Sequence, residues 1–348
     1  MAAMIELAGD TLVFSFPEVF PGARLSISFQ RTLRIPDDGK AHPLPAGLGD
    51  LPLRHVDDFG SSVPAGWKQR GGVMMPMYQS EATWISFRSY GVPHRESPYP
   101  FAVKIGTGRI DAITGKRWRD GLLKTRQDYL IVPEQPWLDG YVVDKGLIRQ
   151  FVAMPLGAGY TAEEQITGKA GYGGLQICVI PMKPDLFEKL FPLRSEEYLR
   201  TMMPARYTDD EGNVVWSVGF VSMGLAPGGL MEQEIYLDEF GRDAWETSVS
   251  SRCFVHIANS LVWRAVTGEA PPQPPLTSKE YRQAGVPWFK YYHEGLEAVE
   301  GSKELAELKS VIRMGREKGD VPVPENETSD PVRVIELGPK GRSRVSEW

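Results

Sequence analysis

Through the first half of the chain, apolar and polar side chains alternate with a period of two. TLVFSF (11–16) and ARLSISF (23–29) have this pattern, which fits strands buried on one face and wet on the other. Similar runs follow at VMMPMY (73–78), ATWISF (82–87), FAVKIG (101–106), RIDAIT (109–114), DYLIV (128–132), LIRQFVAMPL (147–156) and LQICVIP (175–181). Gly106-Thr107-Gly108, between FAVKIG and RIDAIT, predicts a hairpin. Pro36-Asp37-Asp38-Gly39 predicts a turn, because proline presets φ and Asp and Gly tolerate tight backbone angles. Residues 36–66 are rich in Pro, Gly and Asp and read as a long surface connection. The strand spacing is irregular, which excludes a propeller or solenoid period.

The pattern changes after Pro184. Residues 185–203 have helical spacing interrupted by Pro192, and EGNVVWSVGFVSMG (211–224) reads as a turn and a strand over 214–222. Gly224 to Gly229 reads as a loop able to approach another chain or a ligand closely. RCFVHIA (252–258) predicts a strand, followed by a helix capped at Asn259, running through Val266 and closed by Gly268. Thr277 and Glu280 have capping-box spacing. Ser302 opens a helix in which Leu305, Leu308, Val311 and Ile312 form one apolar stripe, with Gly319 closing it. The aromatic run VPWFKYY (286–292) reads as a helix fixed against a sheet, and VRVIEL (332–337) as an edge strand. The expected fold class is α+β: a large antiparallel β-sheet region, sandwich-like, over residues 1–183, and a mixed region over 184–319 sharing its core. The C-terminal helices pack on the sheets, and an extended tail runs over 320–348.

Two cysteines in 348 residues, Cys178 and Cys253, both in apolar runs, point to reduced core thiols rather than a disulfide framework. The N-terminal residues lack a basic stretch before an apolar one, and no run approaches the roughly 20 apolar residues that span a bilayer. These features lead to the expectation of a soluble cytoplasmic chain with no membrane partner. A formal net charge of −6 argues against nucleic acid as a partner. The one basic cluster noted, Lys340 to Arg344, falls in the tail.

Familiar catalytic arrangements fail at named residues. Gly157-Ala158-Gly159-Tyr160-Thr161-Ala162 fits G-x-G-x-x-G/A, but the helix after it is too short for a dinucleotide crossover. The TGK triplets at 114–116 and 167–169 lack the spacing and the Ser/Thr of a phosphate loop, and read as hairpin turns. Phe220 stands where a nucleophile elbow needs its first glycine. Cys253 and His256 lack a second ligand pair and fall on opposite faces of a strand, so no metal site and no cofactor are expected. The acidic residues Glu232, Glu234, Asp238 and Glu239 read as a solvated face.

The most function-like stretch is PEQPWLDGY (133–141) with IRQFVAMPLGAGYTAEEQ (148–165). Its candidate ligand-binding residues are Gln135, Trp137, Arg149, Gln150, Gly157, Gly159, Tyr160 and Gln165. Aromatic faces and amides on ordered loops suit a small-molecule or sugar ligand. Asp139 and Glu163 are the candidate catalytic pair for carboxylate-based hydrolysis, given a suitable separation. The plainer reading is that Trp137 anchors a loop and the charges are solvated.

The blocks RTLRIPDDG (31–39), GGVMMPMYQSEATW (71–84), QDYLIVPEQPWLDG (127–140), IRQFVAMPLGAGYT (148–161), GGLQI (173–177) and AGVPWFKYY (284–292) resemble those of an uncharacterised family of bacterial and fungal proteins. The resemblance spans most of the chain and implies a self-contained unit, with no mechanism attached. The leading expectation is a non-catalytic binding or assembly protein, with a homo-oligomer or a protein as partner. The alternative is a carbohydrate-binding or hydrolytic protein with a cleft formed by residues 134–165.

Overall fold

The computed structural model describes residues 4–95, 97–193, 222–291, 295–320, 331 and 333–337. The chain starts with the meander β1 (Met4–Ala8), β2 (Thr11–Ser15) and β3 (Arg24–Thr32). Short strands β4 (Ala41–His42), β5 (Leu44–Pro45) and β6 (Arg54–His55) lead through a kinked 3₁₀ stretch to α1 (Ala65–Arg70). Then come β7 (Val73–Met77), β8 (Ala82–Ser89), β9 (Phe101–Thr107), β10 (Ile110–Asp111), β11 (Leu130–Val132), β12 (Trp137–Leu138), β13 (Gly140–Asp144) and β14 (Leu147–Pro155). After α2 (Ala162–Thr167) follow β15 (Leu175–Pro181), α3 (Pro184–Leu190), β16 (Ser222–Glu232) and β17 (Ser251–Asn259). The remaining elements are α4 (Ser260–Thr267), α5 (Ser278–Gln283), β18 (Trp288–Tyr291), α6 (Lys303–Ala306), α7 (Val311–Lys318) and β19 (Val334–Leu337).

The fold is α+β, with a large, predominantly antiparallel, sandwich-like sheet region. The main sheet runs β1-β2-β3-β8-β14-β16-β17-β15-β9-β10, and a small sheet runs β19-β18-β5. β16 and β17, from the later part of the chain, lie between β14 and β15. Phe14, Phe29, Phe151, Ile177, Val255, Tyr281 and Leu305 belong to one buried cluster, so early strands and late helices pack on a common core. Among the described residues no helix is long and apolar enough to cross a membrane.

The β9–β10 hairpin forms where Gly106-Thr107-Gly108 predicts it. Asn259 caps α4 through its side chain and Gly268 closes it in the left-handed conformation. Thr277 and Glu280 form their reciprocal capping box. β19 pairs with β18 at the edge of the small sheet.

Several expectations are corrected. Residues 36–66 are no simple surface connection: Leu44, Leu51 and Leu53 are buried, because the segment lines the core and contributes strands. Gly224 to Gly229 lie within β16 rather than a loop; a Cβ on Gly229 would stand 2.3 Å from the Pro36 carbonyl oxygen, so glycine lets the strand pass against that turn. The 286–292 run contains a strand, β18, whose first residue, Trp288, is buried in the core. The helix expected from Ser302 breaks into α6 and α7, because Ser310 caps a second N-terminus by accepting from the Arg313 N–H. The 167–169 triplet is the end of α2, where Gly168 adopts the left-handed conformation. Residues 194–203, all but Ser222 of the strand expected at 214–222, and the Lys340–Arg344 cluster lie outside the described residues.

Ser310→Ala removes the α7 cap and is expected to cost about 1 to 2 kcal/mol in urea unfolding. An unchanged midpoint would mean that the cap contributes nothing to α7.

Candidate functional site

Alternate residues of β9, β15 and β17 face away from the apolar core. The register sets Lys104 opposite Cys178, and Cys178 opposite Arg252. Two residues along lies the row Gly106, Gln176 and Phe254, so both rows share one sheet face. That face carries a lysine, an amide, an arginine and an aromatic ring, where the other carries Val103, Ile105, Ile177 and Val255.

Lys104 is only 1% exposed. An ammonium group in the interior needs every proton bonded, and the loop over 116–128 meets that need. Lys104 Nζ donates to the Arg119 and Gly121 carbonyls at 2.9 and 2.5 Å and pairs with Asp128 Oδ2 at 2.7 Å. Asp128 Oδ1 in turn accepts the Leu123 N–H at 3.0 Å. The loop is thereby drawn over the sheet, and Trp118 is pressed onto β9. A Cβ on Gly106 would lie 2.6 Å from Trp118 Cε3, so only glycine admits the ring. Lys104 Nζ stands 5.1 Å from the indole centroid, within cation–π range.

Trp118 lines two cavities. The first encloses about 330 Å³ and is bounded by Lys104, Asp111, Thr114, Trp118 and Asp128, with Arg117 and Arg119 at its edge. Asp111 is buried there. Its Oδ1 accepts from the Ile113 and Thr114 N–H groups and from Thr114 Oγ1 at 3.1, 2.8 and 2.8 Å. Its Oδ2 has no partner. Burial, followed by the nearby charge of Asp128, raises this carboxyl to about 7.

The second cavity, of about 340 Å³, is lined by Arg70, Arg109, Arg252, Tyr172, Phe254 and the same Trp118, among others. Arg70 lies over the Tyr172 and Phe254 rings at 4.9 and 5.4 Å, and Arg109 over Tyr172 at 5.1 Å. Arg252 is paired with Asp120 at 2.7 Å, at an exposed position. Arg70 and Arg109 have no carboxylate partner among the described residues. Arg109 has φ 64°, an uncommon conformation for a residue other than glycine. Its N–H donates to Gln176 Oε1 at 2.6 Å, and this bond fixes the turn that presents its side chain.

The residues singled out from the sequence lie in several separate internal networks, not one cleft. Trp137 is half-buried against Trp84 and Tyr291, while Tyr160 packs with Val152, Met154 and Val311. Gln135 bonds the Trp137 carbonyl and the Tyr236 N–H. Gln150 bonds Leu33 O and Ile35 N. Arg149 pairs with Asp37 and donates to Gly228 O. Gln165 ties Tyr160 to Lys309. The N–H groups of Gly157 and Gly159 are taken by Glu164 Oε1, so a side chain of the protein fills the nest a phosphate would need. The expected cleft is corrected on this ground: the buried amides, Glu163 and Glu164 in this stretch bond the backbone, while Glu134 Oε2 and Asp139 Oδ1 are buried without a hydrogen-bond partner. Asp139 is 1% exposed and accepts from Trp137 Nε1 at 3.2 Å; burial holds its carboxyl well above the usual range.

Glu163 has a different role from the one expected. It is buried, and its carboxylate accepts from the N–H groups of Gly171, Tyr172 and Gly173 at 3.0, 2.9 and 2.8 Å. A Cβ on Gly108 would stand 2.4 Å from its Oε2. Glu163 therefore anchors the loop that presents Tyr172 to the arginines. It is a positioning residue of the second cavity. His256 is sandwiched between Trp67 and Phe254 at 4.4 and 4.3 Å, and burial pushes its imidazole down to about 3, so it is neutral.

The sequence reading missed these cavities. Their traces are the alternate positions Lys104, Gln176, Arg252 and Phe254 in strands otherwise read as apolar, and the segment KRWRDGLLKTR (116–126), which contains five Lys and Arg residues around Trp118. No family model, curated protein or solved structure matches the chain.

Lys104→Met leaves Asp128 buried and unpaired and is expected to cost about 3 to 5 kcal/mol. Adding Asp128→Leu should recover most of that loss in denaturant unfolding, and a double variant as unstable as the single one would refute the pairing. Asp139 gives a pH signature. Its folded pKa is raised, so the native state keeps its proton while the unfolded chain ionises from about pH 4 upward. Wild-type stability should therefore fall relative to Asp139→Asn between pH 4 and neutrality. Parallel melting curves across that range would exclude a buried neutral acid at this position.

Proposed function

We propose that the chain is a binding protein for a small organic anion, which it holds in the Arg70–Arg109–Arg252 cavity beside Trp118. The observation that carries this reading is a pair of guanidinium groups, Arg70 and Arg109, stacked on Tyr172 without carboxylate partners among the described residues. Guanidinium groups are planar and weakly hydrated, and they bond phosphate and carboxylate through paired N–H groups. The aromatic walls hold them in a fixed orientation, which lowers the ordering cost of binding. A cavity of about 340 Å³ falls within the usual range of small-ligand sites. Two free, buried thiols, Cys178 and Cys253, support a reducing compartment such as the cytoplasm.

Calorimetric titration with inorganic phosphate tests this. Wild-type protein should bind it, and Arg109→Ala or Arg70→Ala should weaken binding about tenfold or more with folding retained. Equal affinity in wild type and both variants, or no binding in wild type, would overturn the reading.

A further inference from the structure

We propose that the two cavities are halves of one site for a phosphate-bearing sugar, with the phosphate on Arg70 and Arg109, the sugar ring against Trp118, and a sugar hydroxyl donating to Asp111 Oδ2. The inference rests on the anion-binding reading and narrows it to a substrate class.

Three observations support it. The first is the unpartnered Oδ2 of Asp111. The residue is 3% exposed and lines its cavity, and its Oδ1 is saturated by three donors. A buried oxygen without a donor is costly for the protein alone. A ligand O–H supplies that donor. The carboxyl titrates at about 7, so near neutral pH a large share of it is ionised and able to accept.

The second is the charge around that oxygen. Lys104, Lys116, Arg117 and Arg119 line the same cavity. They oppose a cationic ligand at Asp111 and favour a neutral hydroxyl on an anionic molecule. Lys104 and Asp128 are already committed to each other and to the loop backbone, which leaves Asp111 as the carboxylate with a free oxygen.

The third is the shared wall. Trp118 belongs to both cavities, and Lys104 and Arg252 are two strand spacings apart, about 10 Å at the backbone. A sugar ring carrying a phosphate ester has comparable length. An indole beside such a ring packs against its C–H face while the hydroxyls point to polar groups.

Calorimetry with three probes tests the proposal: inorganic phosphate, glucose 6-phosphate and ribose 5-phosphate. Wild type should bind at least one sugar phosphate about tenfold tighter than phosphate alone. Asp111→Asn keeps the Oδ1 acceptor that holds the turn, so the variant should stay folded, which its melting curve checks, and its affinity for inorganic phosphate is measured as the reference. The variant's sugar-phosphate affinity should fall about fivefold to tenfold relative to inorganic phosphate, because the Oδ2 acceptor becomes an NH2 donor that cannot accept the hydroxyl proton. The proposal is overturned if neither sugar phosphate exceeds inorganic phosphate in wild type, or if Asp111→Asn keeps the full advantage. Loss of phosphate binding itself in wild type would instead overturn the anion-binding reading beneath it.

Discussion

One buried ammonium organises this part of the molecule. Lys104 lies on a strand whose neighbours in sequence, Val103 and Ile105, enter the core, so its own side chain must leave on the opposite face. There it is covered, and a covered charge requires compensation. Asp128 and the carbonyls of Arg119 and Gly121 supply it. The 116–128 loop has few regular backbone bonds, yet it is tied across the sheet at these points. Trp118 and both cavities follow from that tie. The free oxygen of Asp111 has the same origin, since the loop that buries Lys104 also buries Asp111 beside Asp128. Such a pair gives little net stability relative to an apolar substitute, but it fixes one arrangement. Here that arrangement places Trp118 in the lining of both cavities.

A second anchor acts from the other side. Glu163 sits on a single-turn helix whose capping box, Thr161 and Glu164, was legible from spacing alone. Its carboxylate collects three backbone N–H groups and holds Tyr172 under the arginines. The proposed binding surface is thus shaped by two buried side chains, Lys104 and Glu163. Both reach it through an aromatic residue, Trp118 in one case and Tyr172 in the other.

Strand positions were largely readable, because alternation survives wherever one face packs on the core. The hairpin at 106–108, the Asn259 and Thr277 caps and the edge strand at 334–337 follow from local chemistry. Elements set by distant contacts were not readable. The strand through Gly228 and Gly229 exists because β14 and β4 pair with it, and the 286–292 run contains a strand because β5 and β19 flank it. The candidate site suffered from the same limit. Candidate contacts at 134–165, among them Gln135, Gln150, Glu163 and Gln165, are instead used to bond backbone groups. Gln176, Arg252 and Phe254 looked like interruptions in apolar strands, yet three strands distant in sequence bring them to one face with Lys104. Only the register reveals this, and register is a long-range property.

In the proposed site, the loop held by Lys104 and Asp128 completes an anion pocket between Arg70 and Arg109. A crystal soaked in selenate, a phosphate-shaped ion with an anomalous scatterer, tests it most directly. An anomalous peak is expected within hydrogen-bond reach of both guanidinium groups, beside Tyr172. Selenate bound elsewhere on the molecule, with no density between these two arginines, would contradict it.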